Sequence, residues 1–215
     1  LCKRRWAADG RIVILCRSSS LCVLRARFIS LEGIDQSGKK TQTRLLVRRL
    51  RRTGRKVATM SFPVYGSPSG QQIRAFLEGR RNYSFEAVHM LYSLNRWENL
   101  EQITEKLERS DFLVADRYSA SNLAYGLARG LSLDWLVGLD KGLPVPDTVI
   151  VLDVRVPVSF DRKALDRDLH ERNRRFLLGV RRAYLKLAKR YDWHLVDGTG
   201  PAEKVHQAVW EAVRA

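Results

Sequence analysis

The stretch "FISLEGIDQSGKKTQTRLL", residues 28–46, sets the reading of the whole chain. A short apolar run ends at a glycine, and Gly33, Gly38 and Lys39 take the fixed positions of the phosphate-binding pattern G-x-x-x-x-G-K-[ST]. Leu46 and Leu50 then recur at helical spacing, so the loop joins a strand to a helix. In such a loop the backbone N–H groups wrap a phosphate and the helix presents its positive end. The lysine reaches the phosphoryl group in transfer. Gly33, Ile34, Asp35, Gln36, Ser37, Gly38, Lys39, Lys40 and Thr41 are the expected contacts of a nucleoside triphosphate. A glycine turn with surface lysines is the bland alternative, and the strand-loop-helix context argues against it.

One position departs from the pattern. The residue after Lys39 should carry a hydroxyl for Mg²⁺, yet it is Lys40, with Thr41 one place late. An ammonium cannot ligate a cation and repels it. Three remedies stay open: Thr41 supplies the hydroxyl, Asp116 holds the ion through water, or Lys40 itself neutralises phosphate charge. So does a fourth outcome, a nucleotide-binding protein without turnover.

Downstream, "KVATMS" (56–61), "FLVAD" (112–116), "TVIVLDV" (148–154) and "WHLVD" (193–197) read with "FISLE" as strands. They are short, largely continuous in apolar residues and often β-branched, as strands covered on both faces should be. Helical patterns lie between them, over roughly 39–53, 68–79, 84–109, 119–140, 157–189 and 201–214, with Gly54 and Gly79 as C-terminal stops. The alternation predicts an α/β, three-layer kinase fold: a parallel five-stranded sheet with helices on both faces. Ligands of such sheets bind beyond the carboxyl ends of the strands. There Asp116 can reach a metal shell and Arg117 can grip an acceptor phosphate, although an isolated Asp-Arg pair is commonly a structural salt bridge. Tyr92 and Arg96 are four residues apart on one helix face, where a ring can stack on a base while the guanidinium meets its edge. Tyr92 could equally be core, and Trp97 is assigned to the core.

Composition bounds the rest. The 215 residues suit one domain with a full core, and no apolar run approaches bilayer length. The net charge of +16 predicts affinity for polyanions. The basic runs at 48–56, 79–81 and 172–176 read as solvated helix faces, so nucleotides rather than nucleic acid are the expected partners. All three cysteines lie in the first 22 residues, consistent with a reducing, cytoplasmic setting and with no Cys-based metal site. Residues 1–25, rich in Arg and Ser, read as an N-terminal extension outside a 26–215 domain, whether transit-like or the result of an early start. The four histidines show no ligand spacing and read as structural or surface residues.

Four further stretches, "FPVYGSPSG" (62–70), "LYSLNRWEN" (91–99), "DRYSASNLAYG" (116–126) and "GLPVPD" (142–147), follow "LEGIDQSGKKTQ" in an order and spacing that resemble thymidylate kinase over about residues 28–210. The resemblance implies transfer of the ATP γ-phosphate to dTMP with Mg²⁺, and a homodimer. It implies that Lys39, Asp116 and Arg117 are catalytic. For the acceptor it implies Asp35 near the sugar 3′-hydroxyl and metal, Phe62 and Pro63 shaping the pocket, and Tyr92 stacked on thymine. Arg96 would donate to O4, Asn122 would read N3–H and O4, Tyr125 would lie under the sugar, and Ser121 would line the site. Many relatives have arginine where this chain has Tyr65, which leaves Arg117 more responsible for the phosphate. With Gln36 after Asp35, catalytic arginines are expected from a short lid at about 160–175, with Arg162, Arg167 and Arg172 as candidates. Mg²⁺ would draw on Asp35, Asp116 and Thr41. dUMP is the nearest confusable acceptor, since only a methyl group separates it from dTMP.

Overall fold

The five apolar runs pair as one parallel sheet in the computed structural model, which describes residues 3–6, 12–15, 21–23, 26–161 and 173–214. The strands are β4 (Arg27–Glu32), β5 (Val57–Ser61), β6 (Phe112–Asp116), β7 (Thr148–Asp153) and β8 (His194–Asp197). Their order is β5-β6-β4-β7-β8, every neighbour parallel. The strand that carries the phosphate loop is therefore central. The chain fills one side of it through β5 and β6 before crossing to β7, so the loop opens at the topological switch point.

Alternation of side chains along the strands builds the layers. Ile29, Leu31, Val114, Ile150 and Leu152 face α1 (Lys39–Arg52) and α9 (Ala202–Arg214), where Leu46, Leu50, Val205 and Val209 complete a buried cluster. On the opposite face Val151 packs with α5 (Ser119–Ala128), α6 (Leu133–Leu139) and α8 (Arg174–Tyr191). Phe28, Met60, Leu113 and Ala115 meet Ile103 and Leu107 of α4 (Leu100–Arg109) on that face too. The three-layer fold expected from the sequence is the one observed.

Helix boundaries differ from expectation in three places, one of them Asn173, extended at φ −101°, ψ 93°, where α8 begins inside the pattern expected over 157–189. The pattern over 84–109 is two helices, α3 (Phe85–Glu98) and α4, because Asn99 leaves helical geometry at φ −99°, ψ 12° and serves as the C-cap of one and N-cap of the next. The pattern over 119–140 breaks between α5 and α6 at Gly130, whose φ of 85° no helix interior accepts. The described helices also include α2 (Pro68–Leu77) and α7 (Val156–Asp161). Within the first 25 residues, β1 (Lys3–Trp6), β2 (Ile12–Leu15) and β3 (Leu21–Val23) pair as an antiparallel sheet.

One helix is inside out. Along α3 the buried side chains include His89, Ser93, Asn95 and Arg96, while Met90 and Leu94 are 48% and 52% exposed. Trp97 follows on the outer side at 37%, its indole N–H donating to Leu139 O at 3.0 Å, so its assignment to the core is corrected. Polar groups point inward because α3 forms the wall of a site.

Candidate active site

After β4 the chain turns at Gly33 with φ 137°, where an added Cβ would lie 2.6 Å from Leu152 O. Only glycine fits that approach. Gly38, at φ 94°, caps α1 and makes no side-chain cap hydrogen bond. That leaves first-turn N–H groups facing the groove, as an anion site requires. The Lys39 ammonium is buried and turned into its own loop, donating to Gly33 O (3.1 Å), Ile34 O (2.8 Å) and Ser37 Oγ (3.4 Å). Burial, reinforced by nearby Arg117, pulls its pKa down to about 8, against the pull of Asp35, Asp116 and Glu32. Lys40 is exposed at the rim of the wide groove that Gln36, Ser37, Gly38, Thr41 and Asp116 also line.

Arg117 joins this groove to a second, narrower pocket and lines both. Its backbone is left-handed (φ 67°), a conformation costing roughly 1–2 kcal/mol for a side-chain-bearing residue. The turn sends its guanidinium back over the loop, where it donates to Gly33 O (2.9 Å) and Ser121 Oγ (3.1 Å) and pairs with the Asp35 carboxylate. The Tyr125 hydroxyl donates to the other Asp35 oxygen at 2.7 Å. Beneath them Glu32 is wholly buried and accepts from the Tyr118 N–H (2.8 Å), Ser121 Oγ (2.6 Å) and the Tyr184 hydroxyl (3.2 Å). Burial raises its pKa, opposed by the Ser121 hydrogen bond and the charge of Arg117. One carboxylate thus ties the loop strand to α5 and α8.

The narrower pocket is walled by Phe62, Pro63, Tyr65, Tyr92, Arg96 and Asn122, with Asp35, Ser121 and Tyr125 toward the loop. Phe62 packs edge-on against Tyr118, ring centroids 5.3 Å apart. Asn95 clamps the 62–70 segment, accepting from Val64 N (2.8 Å) and donating to Ser67 Oγ (2.9 Å) and Ser69 Oγ (3.0 Å). Arg74 lies over the Tyr65 ring, 5.0 Å from its centroid. Arg96 is 2% exposed and pairs with Asp140 at 2.7 Å, yet its Nε is buried without a hydrogen-bond partner. Asn122 is held by His89: Nδ1 meets Asn122 Oδ1 at 2.6 Å, and Asn122 Nδ2 donates to His89 O at 3.3 Å.

Loop, switch-point and α3/α5 candidates from the sequence therefore converge on two adjoining cavities. Arg162, Arg167 and Arg172, with most of the expected lid, lie outside the described residues. Sequence reasoning did not find Glu32, His89 or Asp140. Glu32 stands within the quoted "LEG" and His89 one turn before Tyr92, but nothing local marks their partners. Among the described residues no cluster of three or more His, Cys, Asp or Glu could hold a metal, and no helix is long and apolar enough to cross a membrane.

A glycine loop running from the central strand into a helix N-terminus, with a lysine in it and a second pocket across an arginine, defines a P-loop phosphotransferase with two adjoining cavities. Comparison with known proteins narrows the class. The thymidylate kinase family model matches residues 31–209. Thymidylate kinases of Homo sapiens and Danio rerio are each 35% identical over 188 residues, covering 86% of this chain and 88% of those proteins. The solved structure of thymidylate kinase from Candida albicans aligns with a TM-score of 0.79 at 30% identity, over 88% of this chain and 92% of that one. The chain belongs to the thymidylate kinase family, and as a member it is a phosphotransferase.

Proposed function

We propose that the protein transfers the γ-phosphoryl group of ATP to dTMP, giving dTDP and ADP. An oxygen of the dTMP phosphate attacks the γ-phosphorus and the bond to the β–γ bridging oxygen breaks. No covalent enzyme intermediate is needed, since positioning and charge neutralisation supply the catalysis. Lys39, released from its loop carbonyls, meets the transferred group, and Arg117, at the junction of the cavities, holds the acceptor phosphate. Tyr92 stacks on thymine, Asn122 reads N3–H, and Tyr125 and Asp35 adjoin the sugar. Lid arginines among Arg162, Arg167 and Arg172 complete the charge clamp. The observation that carries this reading is buried Arg96, whose Nε has no hydrogen-bond partner, in the wall of a pocket that Tyr92 and Asn122 also line. A buried donor left unpaired costs about 1–3 kcal/mol, and a base carbonyl such as thymine O4 would repay it.

Magnesium fits here as an ion carried in on nucleotide phosphates, and not as one held by protein alone. Asp35 is already engaged by Arg117 and Tyr125, and Lys40 stands where the loop hydroxyl is expected. Mg²⁺ is commonly held by one or two carboxylates, waters and substrate phosphates. Asp116, at the mouth of the groove, would hold it through water, with Thr41 and Asp35 the other oxygens. Bound there, the ion would neutralise phosphate charge. Lys40 favours a second reading, nucleotide binding without turnover.

ADP release by the full chain separates the two, with and without Mg²⁺, using dTMP, dUMP, dCMP, dAMP and dGMP in turn. Magnesium-dependent release selective for dTMP supports the kinase. ATP binding indifferent to Mg²⁺, with no ADP from any acceptor, supports the second reading. A cytoplasmic location accords with the cysteine distribution. A homodimer would cover Met90, Leu94 and Trp97 on the outer face of α3, and a monomer mass in sedimentation velocity at micromolar concentration would rule it out.

A further inference from the structure

The Asn122 amide lines the acceptor pocket, and which of its two ends faces a base decides what the pocket can read. An amide carries an acceptor and a donor of nearly the same size, so a flip exchanges them. Here the surroundings fix the choice. His89 O is a backbone carbonyl and can only accept, so the amide nitrogen, 3.3 Å away, must face it. The amide oxygen then faces His89 Nδ1 at 2.6 Å, and that nitrogen must carry a hydrogen. Both residues are buried, at 4% and 2% exposure, so water cannot substitute for either bond. A flipped amide would set two acceptors against each other at His89 O and lose a hydrogen bond of about 1 kcal/mol.

We propose that His89 is the positioning residue for base selection: as the Nδ1–H tautomer, it locks the Asn122 amide in one orientation, so that the pocket accepts pyrimidines bearing N3–H and rejects cytosine. The inference rests on the dTMP reading above. Thymine and uracil present a donor at N3 beside the acceptor O4, whereas cytosine presents an acceptor at N3 beside an amine. These are inverse patterns. An amide free to flip satisfies either; a locked one satisfies one, and a mismatched buried polar group is what makes rejection strong. The His89 ring also stands 5.9 Å from the Tyr92 ring, tilted by 54°, so the same side chain borders the stacking aromatic. Burial, with help from Arg96 and Arg129 and against the Asn122 bond and Glu86, draws the imidazole pKa down to about 4 and keeps it neutral.

The test compares kcat/KM for dTMP and dCMP in the wild type, His89→Leu and His89→Asn. Asn restores an N–H donor near the Nδ1 position, while Leu removes it. The wild-type dTMP/dCMP ratio should fall at least tenfold in His89→Leu, with dCMP turnover rising in absolute terms, and return to within about threefold in His89→Asn. A purely structural role would depress both substrates together; an unchanged ratio overturns the proposal. Nitrogen-15 NMR of the wild-type imidazole at pH 7 gives an independent readout should the variants fail to fold. The Nδ1–H tautomer is expected, and an Nε2–H tautomer overturns the lock. Absence of wild-type dTMP turnover would instead defeat the proposed function, whatever the tautomer.

Discussion

The two cavities share Asp35, Phe62, Pro63, Tyr65 and Arg117, yet they are built in opposite ways. The pocket proposed for the acceptor is wired in advance. Arg96 is paired with Asp140, Asn122 with His89, and Asn95 with the backbone of the 62–70 segment. The phosphate groove is wide and open, its binding groups belong to the backbone, and its lysine is folded into its own loop. A planar base must be told from its analogues, and that demands side chains fixed before it arrives. A phosphate demands charge and N–H groups, which can rearrange around it. Damage to the first cavity should therefore register as lost stability together with lost selectivity, and damage to the second as lost turnover alone.

The largest effect should come from Asp140→Ala, which strands a buried guanidinium. Breaking such a pair by removing one partner costs about 3–5 kcal/mol. Urea denaturation should show that loss along with a raised KM for dTMP; a midpoint within experimental scatter of the wild type would mean that the pocket is not wired as described. Next comes Lys39→Ala. It should lower kcat by about 10²–10³, the scale for removing one donor to transition-state charge. Its melting temperature should not fall, because the substitution also removes a buried ammonium. A drop of many degrees would make Lys39 structural and collapse the contrast.

The smallest of the three is a pH effect. His89 titrates at about 4 in the folded protein against 6.5 for the ordinary group. Below pH 6.5 the unfolded chain takes up a proton that the folded chain refuses, so the contribution is fully present above 6.5 and lost as pH falls toward 4. The linked loss is roughly 3 kcal/mol. Arg96 and Glu86 on α3 and Arg129 after α5 surround the ring, and Tyr92 lies beside it. Comparing wild type with His89→Asn at pH 7 and pH 4.5 isolates the share of His89. Parallel curves would place the acid sensitivity elsewhere.

Sequence legibility followed the same division. The phosphate loop is a local device in which Gly33, Gly38 and Lys39 sit within seven residues and act through backbone path, so spacing alone reveals them. The central strands β4, β6 and β7 were legible because burial on both faces demands continuous apolar runs, and the half-exposed edge strands β5 and β8 also appear where the shorter runs lie. The helix breaks at Asn99 and Gly130 were not, because apolar periodicity continues across them while the backbone does not. The wiring of the acceptor pocket was invisible for a different reason. Arg96 finds Asp140 across 44 residues, and His89 finds Asn122 across 33. Only the fold brings such partners together. Arg96 and Asn122 could be nominated from "LYSLNRWEN" and "DRYSASNLAYG"; the groups that orient them could not.

Glu32 shows what this means for anyone reading function from mutational data. Its carboxyl touches neither cavity, but it fastens the Tyr118 backbone, Ser121 and Tyr184 to the strand that launches the phosphate loop. A saturation scan scored by growth would rank this position with the reacting groups, and the ranking would mislead. Glu32 is a mounting bolt shared by three buried parts, and loosening it would misalign an otherwise intact machine.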